Sequence, residues 1–363
     1  MAKVFDKGYE MTSPHNCGKF FNEVTIEELR KIPLTLTEEE MIELFYFKFT
    51  ETPLLNRMDA IKDYFIDSWE TLNGRNISDD DQETLQMKFD KMYKTKDIYA
   101  IYNWMLEDCG CNLLPDVPYE KRKLPYEDVF PMLYLKYRLS GGNSTHKNIK
   151  HLVIDEMQDY SYLQYTILEM LFHCRMTILG DRAQTLDTKQ QDVLRFLPKL
   201  LGREIRTIEI KKSYRNTLEI ARYAEKVSGV SDLELLDRHG KEVVEKTFNT
   251  DTELLDELVC HLKCPGDFET AALITTTEEE AFDLSRLLKL RGINVSYVDR
   301  NSSAFKKGLT VTTFYLAKGL EFDQVFALRG AKENPLKNQA EYICATRALH
   351  ELYIYEITDS LSK

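Results

Sequence analysis

The stretch Leu152-Val153-Ile154-Asp155-Glu156-Met157-Gln158-Asp159 sets the reading of the whole chain. Three consecutive apolar residues without alternation predict a strand buried on both faces, as in a parallel sheet covered by helices. Open α/β sheets bind ligands beyond the carboxyl ends of their strands, and here three carboxylates follow at once. An Asp in that place can hold a magnesium ion through one oxygen, and an adjacent Glu can orient or deprotonate a water attacking a terminal phosphate. Taken alone, the same residues also read as an acidic exit from a strand, with no function.

Downstream, apolar runs at 176–179, 205–210, 271–275, 295–298, 310–314, 325–328 and 352–355 predict further buried strands. Helical segments separate most of them, so the chain is read as α/β with parallel layering. Thr277 with Glu280 caps the helix AFDLSRLLKL, and Gly292 is placed to end it. No internal repeat is present.

Upstream, the grammar is helical. Thr37 precedes Glu38, Glu39 and Glu40 and opens MIELFYFKF; Ser78 with Asp79, Asp80 and Asp81 opens QETLQMKFDKMY. Tyr64, Phe65 and Trp69, and Tyr99, Tyr102 and Trp104, recur at helical spacing and predict core faces rather than base-stacking platforms. Pro115, Pro118, Pro125 and Pro131 break the next stretch, and Ser140-Gly141-Gly142-Asn143-Ser144 reads as a loop, which puts a boundary near residue 146.

Composition narrows the class. A length of 363 residues predicts two or three domains, and 43% hydrophobic and 30% charged residues with only 15 Gly and 10 Pro exclude collagen-like, low-complexity and wholly disordered chains. The net charge of −12 and pI of 5.3 argue against a dedicated basic nucleic-acid module, though not against a local basic groove. No apolar run approaches the roughly 18 residues of a membrane span, and the start lacks a signal-peptide core, so a cytoplasmic protein without a membrane partner is expected. The seven cysteines, at 17, 109, 111, 174, 260, 264 and 344, contain no CxxC pair and read as reduced structural thiols rather than a disulfide framework or metal site.

Beyond Asp155–Asp159 come Leu179-Gly180-Asp181-Arg182-Ala183-Gln184, Lys212-Ser213-Tyr214-Arg215-Asn216-Thr217, Ala317-Lys318-Gly319-Leu320-Glu321-Phe322 and Tyr342-Ile343-Cys344-Ala345-Thr346-Arg347-Ala348. A lone arginine is usually a surface or ion-pair residue, and a lone Gly turn is usually flanked by solvated charges. Five such stretches in this order resemble motifs II to VI of the superfamily 1 helicases of UvrD/Rep type. The resemblance implies RecA-like, P-loop NTPase-type parallel sheets preceded by an all-helical region, with ATP and Mg2+ as cofactors. It also implies roles: Asp155 as magnesium ligand and Glu156 as activator of the water. Gln184 would sense the γ-phosphate or that water, Arg215 and Arg347 would carry guanidinium forks onto the transferring phosphoryl group, and Glu321 would reach the ribose, with Lys318 and Gly319 forming the turn beside it.

The departures carry information too. A phosphate-cradling P-loop requires GxxxxGK[ST], because successive backbone N–H groups surround the phosphates and the Lys neutralises them. Only Gly18-Lys19 and Gly240-Lys241 place Lys after Gly, and Phe20 and Glu242 follow them, so motif I is absent and an N-terminally truncated form is expected. Gln184 is followed by Thr185-Leu186-Asp187-Thr188-Lys189-Gln190, without the aromatic residues that stack on single-stranded bases in DNA-unwinding relatives. Tyr315 stands where those relatives carry His. The wording SYRNT, YLAKGLEFD and CATRALHEL is most similar to the HelD (helicase IV-like) proteins, which couple an ATPase to RNA polymerase. The expected organisation is a helical insertion-like region at 1–148, the remainder of a first RecA-like domain at 149–204, and a second RecA-like domain at 205–363. The implied partners are RNA polymerase or DNA, with a separate upstream-half polypeptide to carry the P-loop. The resemblance thus implies the C-terminal part of an RNA polymerase-associated ATPase or of a conventional ATP-dependent DNA helicase, and a non-catalytic interaction module is the alternative from a different class.

Overall fold

The computed structural model describes residues 21–28, 31–142, 146, 148–185, 193–202, 205–229, 234–263, 268–302, 307–329 and 335–357. They divide into two compact units, residues 1–152 with 162–177, and residues 153–161 with 178–363.

The first unit opens with a short antiparallel pair, β1 (Val24–Ile26) and β2 (Leu34–Leu36), so this region is not purely helical. Helices α1 (Glu38–Glu43), α2 (Arg57–Asn73), α3 (Asp79–Asp90), α4 (Ile98–Asp108), α5 (Tyr126–Ser140) and α6 (Tyr162–Leu171) follow. The caps are those the sequence specifies: Thr37 and Glu40 form a reciprocal capping box on α1, and Ser78 accepts from the Asp81 N–H on α3. Fully buried Trp69, Phe89, Ile61 and Met41 centre one core, and Tyr99, Tyr102 and Leu135 a second. Tyr64 departs from the expected core face. It is 41 % exposed and carries the Lys48 ammonium 3.4 Å above its ring, because on α2 it lies off the stripe that buries Phe65 and Trp69.

Among the described residues, strands β3 (His151–Ile154) and β4 (Arg175–Ile178) pair with each other alone. The expectation of a strand buried on both faces fails for β3: Ile154 is buried, but Val153 is 61 % exposed. Among the described residues β3 has β4 as its one neighbouring strand, so it is an edge strand and not the interior of a sheet. Residues 205–210 likewise form no strand, and Ile208 and Ile210 are 70 % and 78 % exposed. Hydrophobic pattern states what a segment would bury, not whether a partner strand is at hand.

After α7 (Val193–Leu201), the second unit runs through β5 (Lys212–Ser213), α8 (Leu218–Ser228), β6 (Glu234–Leu235), β7 (Val244–Phe248), α9 (Asp251–Lys263), β8 (Thr270–Thr275), α10 (Glu278–Leu290) and β9 (Ser296–Tyr297). It closes with β10 (Gly308–Thr313), α11 (Phe314–Ala317), β11 (Phe322–Arg329), α12 (Lys337–Arg347) and β12 (Ala348–Ile357). Six of these strands form one sheet in the order β7-β12-β11-β8-β10-β9, parallel throughout. Both faces are covered, which is why five of its strands read as apolar runs; the edge strand β7, Val-Glu-Lys-Thr-Phe, was not expected from the sequence. Ala272, Ile274, Val325, Ala327, Leu352 and Ile354 pack with Ile220 of α8 and Ile343 of α12. The alternate residues Leu273, Phe326, Tyr353 and Tyr355 pack with Leu258 of α9 and Leu288 of α10. This is the α/β, RecA-like arrangement expected of the sheet-bearing part. Among the described residues no helix is long and apolar enough to cross a membrane.

Candidate functional site

All five motif stretches contribute to the second unit. Asp155 and Glu156 follow β3, and the Asp181–Gln184 turn follows β4. Arg215 lies between β5 and α8, Lys318 and Gly319 follow α11, Glu321 precedes β11, and Arg347 ends α12.

Glu156 is held in a left-handed backbone conformation, φ 53° and ψ 48°, the only non-glycine residue with positive φ among the described residues. Such a conformation costs of order 1–3 kcal/mol and persists only where its surroundings impose it. Two contacts impose it here. The Met157 N–H donates to the Leu179 carbonyl at 2.8 Å, and the buried Gln158 donates its amide N–H to the Glu156 carboxylate. The other end of Gln158 accepts from the Asp181 N–H at 3.0 Å, so one side chain joins motif II to motif III. Gly180 leaves room for it: a Cβ there would lie 2.5 Å from Gln158 Oε1.

Lys318 is nearly buried, and its Nζ lies 2.6 Å from Asp159 and 3.6 Å from Glu156. The resemblance put this lysine in a nucleotide-side turn; the geometry puts its ammonium on the motif II carboxylates. Gly319 makes the turn behind it at φ 83°, a value that suits glycine. Asp155 is exposed, and its Oδ1 accepts from the Glu156 N–H at 2.8 Å. No group of three or more His, Cys, Asp or Glu side chains is placed to hold a metal among the described residues. Magnesium is usually held by one or two carboxylates together with phosphates and waters, so Asp155 fits as one ligand of such an ion and not as part of a protein cage.

Arg215 pairs with Glu321, Nε to Oε1 at 2.7 Å. Both side chains are about half exposed, so the pair contributes only about 0–1 kcal/mol and is easily exchanged for another anion. Asn216 fixes this arginine relative to α12 by donating to the carbonyls of Ala345 at 3.3 Å and Ala348 at 2.6 Å.

Arg347 is 3 % exposed. Its guanidinium donates to the Leu320 carbonyl at 3.3 Å, to Thr346 Oγ1 at 3.1 Å and to Gln184 Oε1 at 3.4 Å, while Nε has no hydrogen-bond partner among the described residues. Burial, and then the nearby Arg215 charge, pull its pKa down, against the opposing pull of the Glu156, Glu321 and Asp181 carboxylates. Gln184 is buried beside it and donates to Asp181 Oδ2 at 3.0 Å. The structure therefore brings together Glu156 with Lys318, Arg215 with Glu321, and Gln184 with Arg347. Asp181, Gln158, Asn216 and Tyr342 organise these groups without having been assigned roles from sequence. The signal for Gln158 and Asn216 was a polar residue at an otherwise buried position. The stretch following Thr185 that bears on base stacking, 186–190, lies outside the described residues, as do Cys17, Cys264, Gly18 and Lys19. Cys109, Cys111, Cys174, Cys260 and Cys344 are free thiols, and burial pushes the Cys344 thiol up to about 12.

Residues 14–186 match the model of the UvrD/REP helicase N-terminal domain. The matched segment contains motif II and ends just after Gln184. The match covers just under half of the chain, so the likeness to a UvrD-type helicase domain is shown for this segment alone. No curated protein matches it. Among solved structures, the C-terminal domain of a possible DNA helicase from Lactobacillus plantarum WCFS1 is 26% identical over 40% of this chain and 88% of that one, with a TM-score of 0.34. The PRRSV helicase is 15% identical over 72% of this chain and 46% of that one, with a TM-score of 0.36.

Proposed function

We propose that this chain contributes the γ-phosphate side of a nucleotide site in a UvrD-type ATPase. The observation that carries this reading is Arg347, a buried guanidinium beside Gln184 with an unpartnered N–H. A buried donor left unsatisfied costs about 1–3 kcal/mol, and a phosphate oxygen is the partner that matches it in charge and planarity. Around it, Glu156 orients the attacking water, Arg215 supplies a second fork, Glu321 faces the ribose, and Asp155 ligates magnesium. When bound, that ion neutralises charge developing on the phosphates. The arginine donors fit the terminal phosphate, and none of the described groups forms a cradle for the other phosphates. GxxxxGK[ST] is absent from the sequence, so in this reading the glycine-rich cradle is supplied from outside these 363 residues.

The test is phosphate release from Mg·ATP by the chain alone, by the chain mixed with a polypeptide bearing a UvrD-type P-loop, and by that mixture carrying Arg347→Ala. Turnover is expected only in the mixture, with a loss of about 10³–10⁵ in the variant. Turnover by the chain alone, or turnover indifferent to Arg347, refutes the reading.

A HelD-like coupling to RNA polymerase through the helical unit is the second reading, and a purely non-catalytic interaction module is its limiting case. Tyr119 and Tyr126 are 79 % and 77 % exposed, and Leu113 and Leu124 are exposed nearby in sequence, a composition suited to a protein partner. Retention on immobilised RNA polymerase is expected to fall in the Tyr119→Ser, Tyr126→Ser double variant; unchanged retention, or retention on DNA instead, overturns it.

A further inference from the structure

We infer that Tyr342 is a positioning residue for the proposed phosphate site, pinning the Asp181 carboxylate so that Gln184 presents its amide oxygen to Arg347. This deepens the reading given above and rests on it for its functional meaning.

The hydrogen bonds run in one direction. Tyr342, on α12, donates its hydroxyl to Asp181 Oδ2 at 2.8 Å. The same carboxylate oxygen accepts from Gln184 Nε2 at 3.0 Å, and Oδ1 accepts from the Ala183 N–H at 3.0 Å. A carboxylate only accepts, so the Gln184 end that meets it must be the NH₂ group, and the oxygen is left facing Arg347 Nη2 at 3.4 Å. Gln184 is thereby oriented by chemistry on both sides. Through its own N–H, Asp181 also reaches Gln158, which donates to Glu156. Tyr342 thus stands at the head of two branches, one ending on the buried arginine and one on the motif II glutamate.

The phenol is suited to this work. Burial, and then the Asp181 charge, hold its pKa well above the ordinary tyrosine value, so it remains a donor throughout the working pH range. Tyr342 and Arg347 also hang from the same helix, so any displacement of α12 moves both contacts of the Asp181–Gln184 turn together. Phe at position 342 would keep the ring and remove the pin.

The experiment uses the full chain labelled with ¹⁵N. The Gln184 side-chain amide is identified by its disappearance in Gln184→Leu, and its hydrogen exchange is followed in Tyr342→Phe, in Asp181→Asn and in the double variant. Exchange is expected to accelerate about tenfold in each single variant and no further in the double, with the melting temperature and backbone exchange of the sheet unchanged. In the P-loop-supplemented mixture Tyr342→Phe is expected to lower kcat about tenfold and leave KM within about twofold, the pattern of a lost transition-state interaction. Unchanged Gln184 exchange in Tyr342→Phe overturns the inference. So does acceleration spread over the whole unit with a fall in melting temperature, which marks a packing role. Turnover indifferent to Arg347→Ala sinks the reading under Proposed function instead, while the Gln184 signal still decides whether Tyr342 sets its orientation.

Discussion

Gly180→Ala adds a methyl group where three atoms already stand. The new Cβ would lie 2.5 Å from Gln158 Oε1, 2.5 Å from Met157 Cγ and 2.6 Å from the Met157 backbone nitrogen. The methionine side chain can swing away. The nitrogen cannot, because it donates to the Leu179 carbonyl at 2.8 Å and moving it means moving the turn that carries Glu156. Overpacking of this kind costs about 1–3 kcal/mol. A displaced Gln158 would also leave the Asp181 N–H without its acceptor, roughly another 1 kcal/mol. For a unit of this size about 2–4 kcal/mol lowers the melting temperature by roughly 4–16 °C. Calorimetry is the right assay, since both tryptophans, Trp69 and Trp104, lie in the other unit and their fluorescence reports on the helices. Gly74→Ala is the contrast: φ is +64° there but nothing lies within 4 Å, so only the left-handed penalty of about 1 kcal/mol applies, in the helical unit. A Gly180→Ala protein melting within about 2 °C of the parent would refute the claim that motif III is seated against motif II without spare volume.

Other outcomes follow from single contacts. Asn216→Ala removes both buried bonds to the Ala345 and Ala348 carbonyls and is expected to cost about 1–3 kcal/mol, read as a lower urea midpoint at unchanged m; an unchanged midpoint contradicts the bolt between motifs IV and VI. Thr277→Ala loses the capping box of α10 and about 1 kcal/mol, with faster amide exchange confined to its first turn. His239 bonds Glu219 at 2.9 Å and lies 3.0 Å from Asp237, and the Glu219 bond raises its pKa above 6.5. A group with a raised folded pKa stabilises fully below its unfolded value and loses that contribution as pH climbs through the folded one. Exchange at Gly240, whose N–H also bonds Glu219, should therefore quicken from about pH 6.5 upward, and His239→Asn should flatten the profile.

What was legible in the sequence was what is local. Thr37 with Glu40 and Thr277 with Glu280 form their capping boxes because donor and acceptor lie within one turn. Five strands of the six-stranded sheet announced themselves as apolar runs because both faces of the sheet are covered, while the edge strand β7, Val-Glu-Lys-Thr-Phe and largely exposed, gave no such signal. The same rule misled at Val153, whose strand has β4 as its one neighbour among the described residues, and at 205–210, which forms no strand at all. The candidate site was legible as a set of motifs, while its wiring was not. Tyr342 and Asp181 are 161 positions apart, and nothing in either stretch says that a phenol will meet a carboxylate. Lys318 reads as half of a solvated turn, and only the fold shows its ammonium carried onto Asp159, again far away in sequence.

Helix α12 ends at Arg347 and β12 begins at Ala348, with no residue between them. A joint of zero length has no slack. Turning the helix must turn the first residues of the ten-residue strand, and Asn216, gripping carbonyls on either side of the seam, removes the remaining play. Inserting one residue there would exchange the two faces of β12, sending Tyr353 and Tyr355 toward α8 and α12 and Leu352 and Ile354 toward α9 and α10. Length variation is therefore barred at this point of the chain. The buried guanidinium is geared directly to the sheet, and its position is as fixed as the strand register.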